Sequence, residues 1–333
     1  MKFLVTGAAG FIGSATAARL CEAGYQVLGI DNLNDYYDPR LKLDRLASLC
    51  EGPLFEFKEM DIADRQAMTK LFEEHQFDRV IHLAAQAGVR YSIENPMSYI
   101  DSNLVGMANV LEGCRHNKVE HLVFASSSSV YAMNEKIPFS EDDAVDHPVS
   151  LYAATKKSNE LMAHSYAHLY NIPVTGLRFF TVYGPWGRPD MAPFLFTDAI
   201  INDQPIKVFN HGKMLRDFTY IDDIVEGVMR VQALAPKTDA SDLLNSPATA
   251  RAPYQILNIG NNEPIELSRF ISAIETACAK KAEKIMMPMQ AGDVPRTFAD
   301  IDRLHSLTGF VPKMSIESGM LKFVAWYKSY YKD

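Results

Sequence analysis

The sequence predicts an α/β fold: a doubly wound parallel sheet with a smaller C-terminal domain beside it. Three observations carry this. Short β-branched runs alternate with longer segments whose apolar residues recur at three- and four-residue spacing. The strand runs are nearly continuous in apolar residues, as expected of a parallel sheet covered on both faces. A glycine-rich turn also joins the first strand to the first helix.

In chain order, strands are expected over residues 2–6, 26–30, 54–58, 79–84, 121–125 and 174–180. Between them, residues 14–23, 66–75 and 99–116 carry helical patterns. After about Thr181 the pattern becomes irregular and richer in proline and aromatics. Residues 1–180 are therefore expected to form the sheet domain and 181–333 mainly the smaller one, with some later segments returning to the first. Residues 236–253 are the most loop-like stretch, read as an exposed excursion. The charge run at 280–284 reads as a solvated helix face.

The 333 residues suffice for one large core, or for a large domain with a smaller one beside it. At 47% hydrophobic and 22% charged the composition is that of an ordinary globular chain. No apolar run approaches the length of a membrane span, and the N-terminus breaks into glycines too soon for a signal peptide. Cys21, Cys50, Cys114 and Cys278 have neither metal-knuckle nor paired spacing. A reducing, cytoplasmic setting with no bound metal is the expectation. A net charge of −8 speaks against nucleic-acid partners and requires that any anionic ligand meet locally assembled positive charge.

Gly7, Gly10 and Gly13 stand where the first strand gives way to the first helix. Such a turn lets the backbone approach a pyrophosphate, while the helix start at Phe11 and Ile12 offers free N–H groups and a positive dipole end. Asp31 ends the second strand, where a carboxylate accepts hydrogen bonds from the adenosine ribose. It repels a 2′-phosphate, and no arginine or lysine follows it before Arg40, so NAD is expected over NADP. Asn32 belongs to the same edge. Asp61 and Ile62, after the third strand, are placed to contact the adenine, although Asp61 equally suits a helix cap.

Tyr152 and Lys156 are one helical turn apart. A lysine ammonium beside a phenol favours the phenolate and turns tyrosine into a general base. The spacing alone is common on surface helices. Its position gives it weight: it follows a fifth strand that runs into Ser126, Ser127, Ser128 and Ser129, at the sheet edge where ligands bind.

The glycine turn, the serine run, Tyr152-x-x-x-Lys156 and the string Arg216–Asp217–Phe218–Thr219–Tyr220–Ile221–Asp222–Asp223 resemble the extended short-chain dehydrogenase/reductases that modify nucleotide sugars. The resemblance spans essentially the whole chain and implies a Rossmann-type NAD-binding domain with a C-terminal substrate-binding domain. Within that family, four strings are similar to its UDP-glucuronate 4-epimerase branch: Asp31 to Asp38, Gln86 to Ser92, Phe179 to Pro185, and Gly187 to Ala192.

The resemblance implies that Ser127 and Tyr152 bond the sugar O4 while hydride leaves C4 for NAD and returns to its other face. The related dehydratases place an Asp-Glu pair where this chain has Ser128 and Ser129, and the decarboxylases a Glu near Ser129. Galactose-type epimerases carry Asn in place of Thr181. Ser128, Ser129 and Thr181, with Arg188 nearby, are the candidates for a uronate carboxylate; loop packing and a surface arginine are the alternative. Arg90, Arg216 and Arg296 are candidates for the diphosphate, since guanidinium forks suit phosphate oxygens, with rim salt bridges as the other reading. Ala132 departs from the family, which carries Gly after Val-Tyr. The implied function is 4-epimerisation of UDP-glucuronate. A UDP-glucose/UDP-galactose 4-epimerase or a UDP-glucuronate decarboxylase on the same fold, or a non-catalytic NAD-binding regulator, are the rivals. Apolar faces on 99–116 and 152–169 suit a homodimer.

Overall fold

A computed structural model describes residues 1–238, 246, 248–290 and 293–332. Its main sheet has seven strands: β1 (Lys2–Thr6), β2 (Gln26–Asp31), β3 (Phe55–Glu59), β4 (Arg79–His82), β5 (His121–Ser127), β6 (Val174–Phe179) and β10 (Tyr254–Ile259). The order is β10-β6-β5-β4-β1-β2-β3, and every neighbouring pair is parallel. Strand order reverses between β1 and β4, which opens a crevice at the carboxyl ends of the strands.

Side-chain alternation along a strand explains why both faces are covered. On β1, Phe3 and Val5 join one core with Ala17, Val123 and Leu177, while Leu4 joins another with Leu28, Met68, Val110 and Leu122. Burying Phe3, Leu4 and Val5 completely stabilises the fold by about 1.5–3 kcal/mol for each side chain.

The remaining strands form two small sheets. β7 (Thr181–Tyr183), β9 (Leu215–Tyr220) and β11 (Pro264–Glu266) make one, ordered β11-β9-β7; β8 (Ile206–Val208) pairs with β12 (Lys284–Met286) in the other. A separate core of Phe218, Phe270, Ile274, Met320 and Phe323 lies under them. No helix among the described residues is long and apolar enough to cross a membrane.

Four expectations need correction. The helix expected over 99–116 is interrupted: Ile100–Val105 is a wide π turn leading into Gly106–Asn117. Asn103 sits in that turn, and its carbonyl accepts a 2.6 Å hydrogen bond from Asn159 while its side chain bonds Gln86 and Thr155. The tie to the Leu151–Tyr170 helix makes use of a carbonyl that the wide turn releases.

Residues 280–284 are not a helix face. The helix Leu267–Cys278 stops at Ala279, which takes a left-handed conformation, and the lysines beyond it fold back onto Glu275 and Asp203. The excursion expected over 236–253 lies partly outside the described residues, but Ala248 and Ala252 are buried against the sheet rather than exposed. They deliver β10, a strand not anticipated from the sequence. Strand ends also shift: β4 stops at His82, and β5 runs on to Ser127.

Candidate active site

A cleft of about 800 Å³ runs along the carboxyl edge of the main sheet and is lined by residues of both the main sheet and the small sheets. At one end lies the glycine turn. Gly7 has φ +71, and a Cβ on it would fall 2.7 Å from the backbone N of Ala84. A Cβ on Gly13 would lie 1.9 Å from the carbonyl of Gly7. Only glycine fits at either position. Gly10 caps the helix Phe11–Glu22 with no side chain of its own, so the first N–H groups face the cleft unobstructed.

Asp31 ends β2 and also lines the cleft. Its Oδ1 accepts from Leu33 N at 2.9 Å and its Oδ2 from Ala9 N at 3.3 Å. Burial pushes its carboxyl up, against the pull of Lys42. A bare-backbone cradle with a carboxylate beyond it fits the diphosphate and ribose of a dinucleotide. Phe11, Ile12, Asn32 and Ile62 line the same end. Asp61 does not: it accepts hydrogen bonds from Ala63 N at 2.8 Å and from the Asn32 amide at 3.0 Å, and so braces the edge of the cleft.

Ser127, Tyr152 and Lys156 meet in the middle. Ser150 caps the Leu151–Tyr170 helix by accepting from Ala153 N, which puts Tyr152 in the first turn, against the end of β5. The Tyr99 ring meets the Tyr152 ring edge-on at 6.0 Å and fixes its plane. Lys156 is buried and donates to the Ala125 carbonyl at 2.9 Å. Burial lowers its pKa to about 8.

The electrostatics differ from the sequence expectation. Burial pushes the Tyr152 phenol up, and the groups that pull it down are the Ser127 hydroxyl and the Arg188 guanidinium, not Lys156. The Lys156 ammonium is engaged with the sheet carbonyl, and although burial lowers its pKa it stays cationic at neutral pH.

Ser128, Ser129, Thr181 and Arg188 line the wall around Tyr152. Ser127 Oγ accepts from Ser129 N at 3.1 Å and donates to Ser129 Oγ, so the serine run is a folded turn rather than free loop. Arg188 is clamped by Asp190, with Nε to Oδ1 at 3.0 Å, and Tyr36 donates to Oδ2 of the same carboxylate at 3.0 Å. At the far end Arg216 and Arg90 line the cleft on either side of Asp293, which lies 3.7 Å from Arg90, and Arg90 covers the Phe209 ring. Arg296 is not brought there. It is exposed and donates to the Glu135 carbonyl at 3.1 Å, a rim contact.

A family model described as the NAD dependent epimerase/dehydratase family matches residues 3–245. The chain belongs to this family. Its relatives include a probable UDP-glucuronate 4-epimerase from Rhizobium meliloti (strain 1021), 50% identical over 100% of this chain and 98% of the relative. Among solved structures, the UDP-glucuronic acid 4-epimerase from Bacillus cereus, in complex with UDP-glucuronic acid and NAD, is 34% identical. It superposes with a TM-score of 0.88, covering 99% of this chain and 100% of that one. The UDP-glucose 4-epimerase from Thermotoga maritima is 27% identical with a TM-score of 0.85, covering 99% of each chain. The fold is therefore common to proteins that take different sugars.

Within this family frame, four residues escaped the sequence reading. Lys42 reaches the cofactor end from the helix Pro39–Leu49, and Tyr36 and Asp190 hold Arg188. Tyr99 holds the Tyr152 ring. Tyr36 and Asp190 lay inside strings already noted for their resemblance, which was the available signal. For Lys42 there was none, because helical spacing alone does not tell which face turns back toward β2.

Proposed function

We propose that this protein is an NAD-dependent 4-epimerase that interconverts UDP-glucuronate and UDP-galacturonate. The observation that carries the reading is the wall around Tyr152, where Ser127, Ser128, Ser129 and Thr181 present hydroxyls and Arg188 supplies a cation beside the phenol.

When bound, NAD would supply a reversible hydride acceptor facing C4. Gly7, Gly10, Phe11, Ile12, Gly13, Asp31, Asn32 and Ile62 would hold it, with Lys156 at the reacting end. Tyr152, hydrogen-bonded through Ser127, takes the proton of the C4 hydroxyl as the ketone forms and returns it once the sugar has turned over. One proton leaves and one comes back. Elimination needs further acid–base groups at C5 and C6, and completing a decarboxylation needs a proton donor to the C5 enolate; positions 128 and 129 offer only hydroxyls.

The 4-keto uronate is a β-keto acid, whose carboxylate departs when its bond to C5 lines up with the carbonyl π system. Ser128, Ser129, Thr181 and Arg188 hold the carboxylate out of that alignment. Each hydrogen bond to a charged group contributes about 1.5–3 kcal/mol, enough together to restrict one rotor. Arg90 and Arg216 take the diphosphate. Residues 1–180 supply most of the cofactor site and residues 181–333 most of the sugar site. The exposed Leu161 and Leu169 on the Leu151–Tyr170 helix support a homodimer, and four free thiols support a reducing, cytoplasmic setting. Turnover of UDP-glucuronate and of UDP-glucose, measured side by side, tests the substrate assignment; faster turnover of UDP-glucose contradicts it.

A further inference from the structure

We propose that Arg45 is a positioning residue for uronate recognition, fixing the segment 184–190, which carries Arg188, against the dinucleotide turn. This rests on the reading of Arg188 given above. Arg45 lies on the helix Pro39–Leu49, is fully buried and takes no part in lining the cleft. Its bonds go to neutral acceptors on three separate segments. Nε and Nη2 both donate to the Trp186 carbonyl, at 3.0 and 2.8 Å. Nη1 donates to the Ala9 carbonyl at 3.1 Å and to the Tyr37 hydroxyl at 2.7 Å. A buried guanidinium is tolerated only where its donors are matched, and its planar fork admits one geometry.

The backbone at Trp186 shows that this grip does something. Trp186 has φ +66, in the left-handed region that bulky residues rarely enter. Such a conformation persists where the surroundings over-determine it. The Arg45 fork holds the carbonyl of that same residue. Two positions on, Arg188 is clamped by Asp190, and Asp190 is held by Tyr36. The segments 34–38 and 184–190 are thus clasped at two points, one on each side of Arg188. A continuous line of contacts follows: Asp31 to the Ala9 amide, the Ala9 carbonyl to Arg45, and Arg45 to Trp186. It joins the ribose end of the cleft to the loop that presents the cation.

A general loss of stability would weaken every ligand, whereas misplacing segment 184–190 affects only ligands that reach Arg188. UDP does not reach it; UDP-glucuronate does. The test is calorimetric binding of both to the NAD-saturated protein as wild type, Arg45→Lys and Tyr37→Phe. Lysine keeps the charge but loses the fork. The expected result for Arg45→Lys is UDP affinity within about twofold of wild type and UDP-glucuronate affinity about tenfold weaker. Tyr37→Phe, which frees one arm of the fork, should show the same selective pattern at about threefold, and it decides the matter alone if Arg45→Lys does not fold. Equal weakening of both ligands, or no weakening of either, overturns the proposal. A wild type that binds UDP-glucuronate no more tightly than UDP-glucose contradicts the uronate reading itself, and the Arg45 proposal falls with it.

Discussion

The Nζ of Lys42 stands 4.0 Å from Oδ1 of Asp31, inside the cofactor end of the cleft. Sequence spacing had placed no cation near this carboxylate. Lys42 is buried and also donates to the carbonyl and side chain of Asn34, at 2.8 and 2.9 Å. The expected preference for NAD over NADP therefore rests on a carboxylate that both repels a 2′-phosphate and neutralises a neighbouring ammonium.

Asp31→Asn should then do more than narrow the preference. It releases Lys42 as a free cation at the ribose edge, so NADP affinity should rise as NAD affinity falls. Titration of the cofactor-stripped protein with each dinucleotide checks this. Adding Lys42→Met should take the NADP gain away, and unchanged NADP binding in Asp31→Asn would speak against the arrangement.

The base at the reacting end is open to a sharper test than simple loss. Tyr152→Phe keeps the ring packing against Tyr99 and should cost ~100- to 10,000-fold in rate, with NAD retained. Because burial raises the phenol and Arg188 lowers it, Arg188→Gln should shift the rising limb of the pH–rate profile to higher pH. A limb that stays in place means Arg188 does not act on the phenol.

Two buried histidines give stability a pH dependence of known sign. Burial lowers His82 to about 3 and His121 to about 4. Below about 6.5 the unfolded chain takes up protons that these rings refuse in the fold. Their contribution is full above that value and is lost as pH falls, by about 1.4 kcal/mol per unit for each ring. Asp217, Asp31 and Glu141 work the other way, because burial pushes each carboxyl up, Asp217 to about 6. The histidine contribution is isolated by His121→Gln, whose denaturant midpoint should fall less, or rise more, than that of the wild type from pH 7 to pH 4.5. The same slope in both proteins contradicts it.

Ala132 sits at φ 50, ψ −117 on the edge of the cleft, a conformation favourable only to glycine. A non-glycine residue held in such a region costs about 1–3 kcal/mol, and glycine adds back roughly 0.5–1 in chain entropy. Ala132→Gly should stabilise the protein by about 1 kcal/mol, read as a rise in Tm. A fall would mean that the Ala132 methyl contributes more by packing than its backbone loses.

How much of this was legible beforehand differs by element. β1 reads off residue by residue because its apolar run is uninterrupted and bounded by Lys2 and Gly7. β10 does not, since its six residues follow an irregular stretch and owe their place to pairing with β6, far away in sequence. The glycine turn, Ser127 and the Tyr152–Lys156 pair were legible because their chemistry is tied to short spacing. Arg296 was misplaced for the opposite reason: it sits on a single isolated bridge to Leu215, and one arginine there carries no spacing that says which way it faces. Lys42, Arg45 and the Tyr36–Asp190 clasp depend on contacts between segments far apart in the chain, which local pattern does not encode.

On the function proposed above, the cleft turns over the C4 centre of a uronate without releasing its carboxylate. The most direct measurement is to incubate the purified protein with UDP-glucuronate and no added NAD, then identify the sugars by mass spectrometry and chromatography. The expected result is a mixture of UDP-glucuronate and UDP-galacturonate of unchanged mass, with only a trace of pentose that grows in Thr181→Val. Predominant UDP-pentose, or UDP-glucuronate recovered without any UDP-galacturonate, would contradict it.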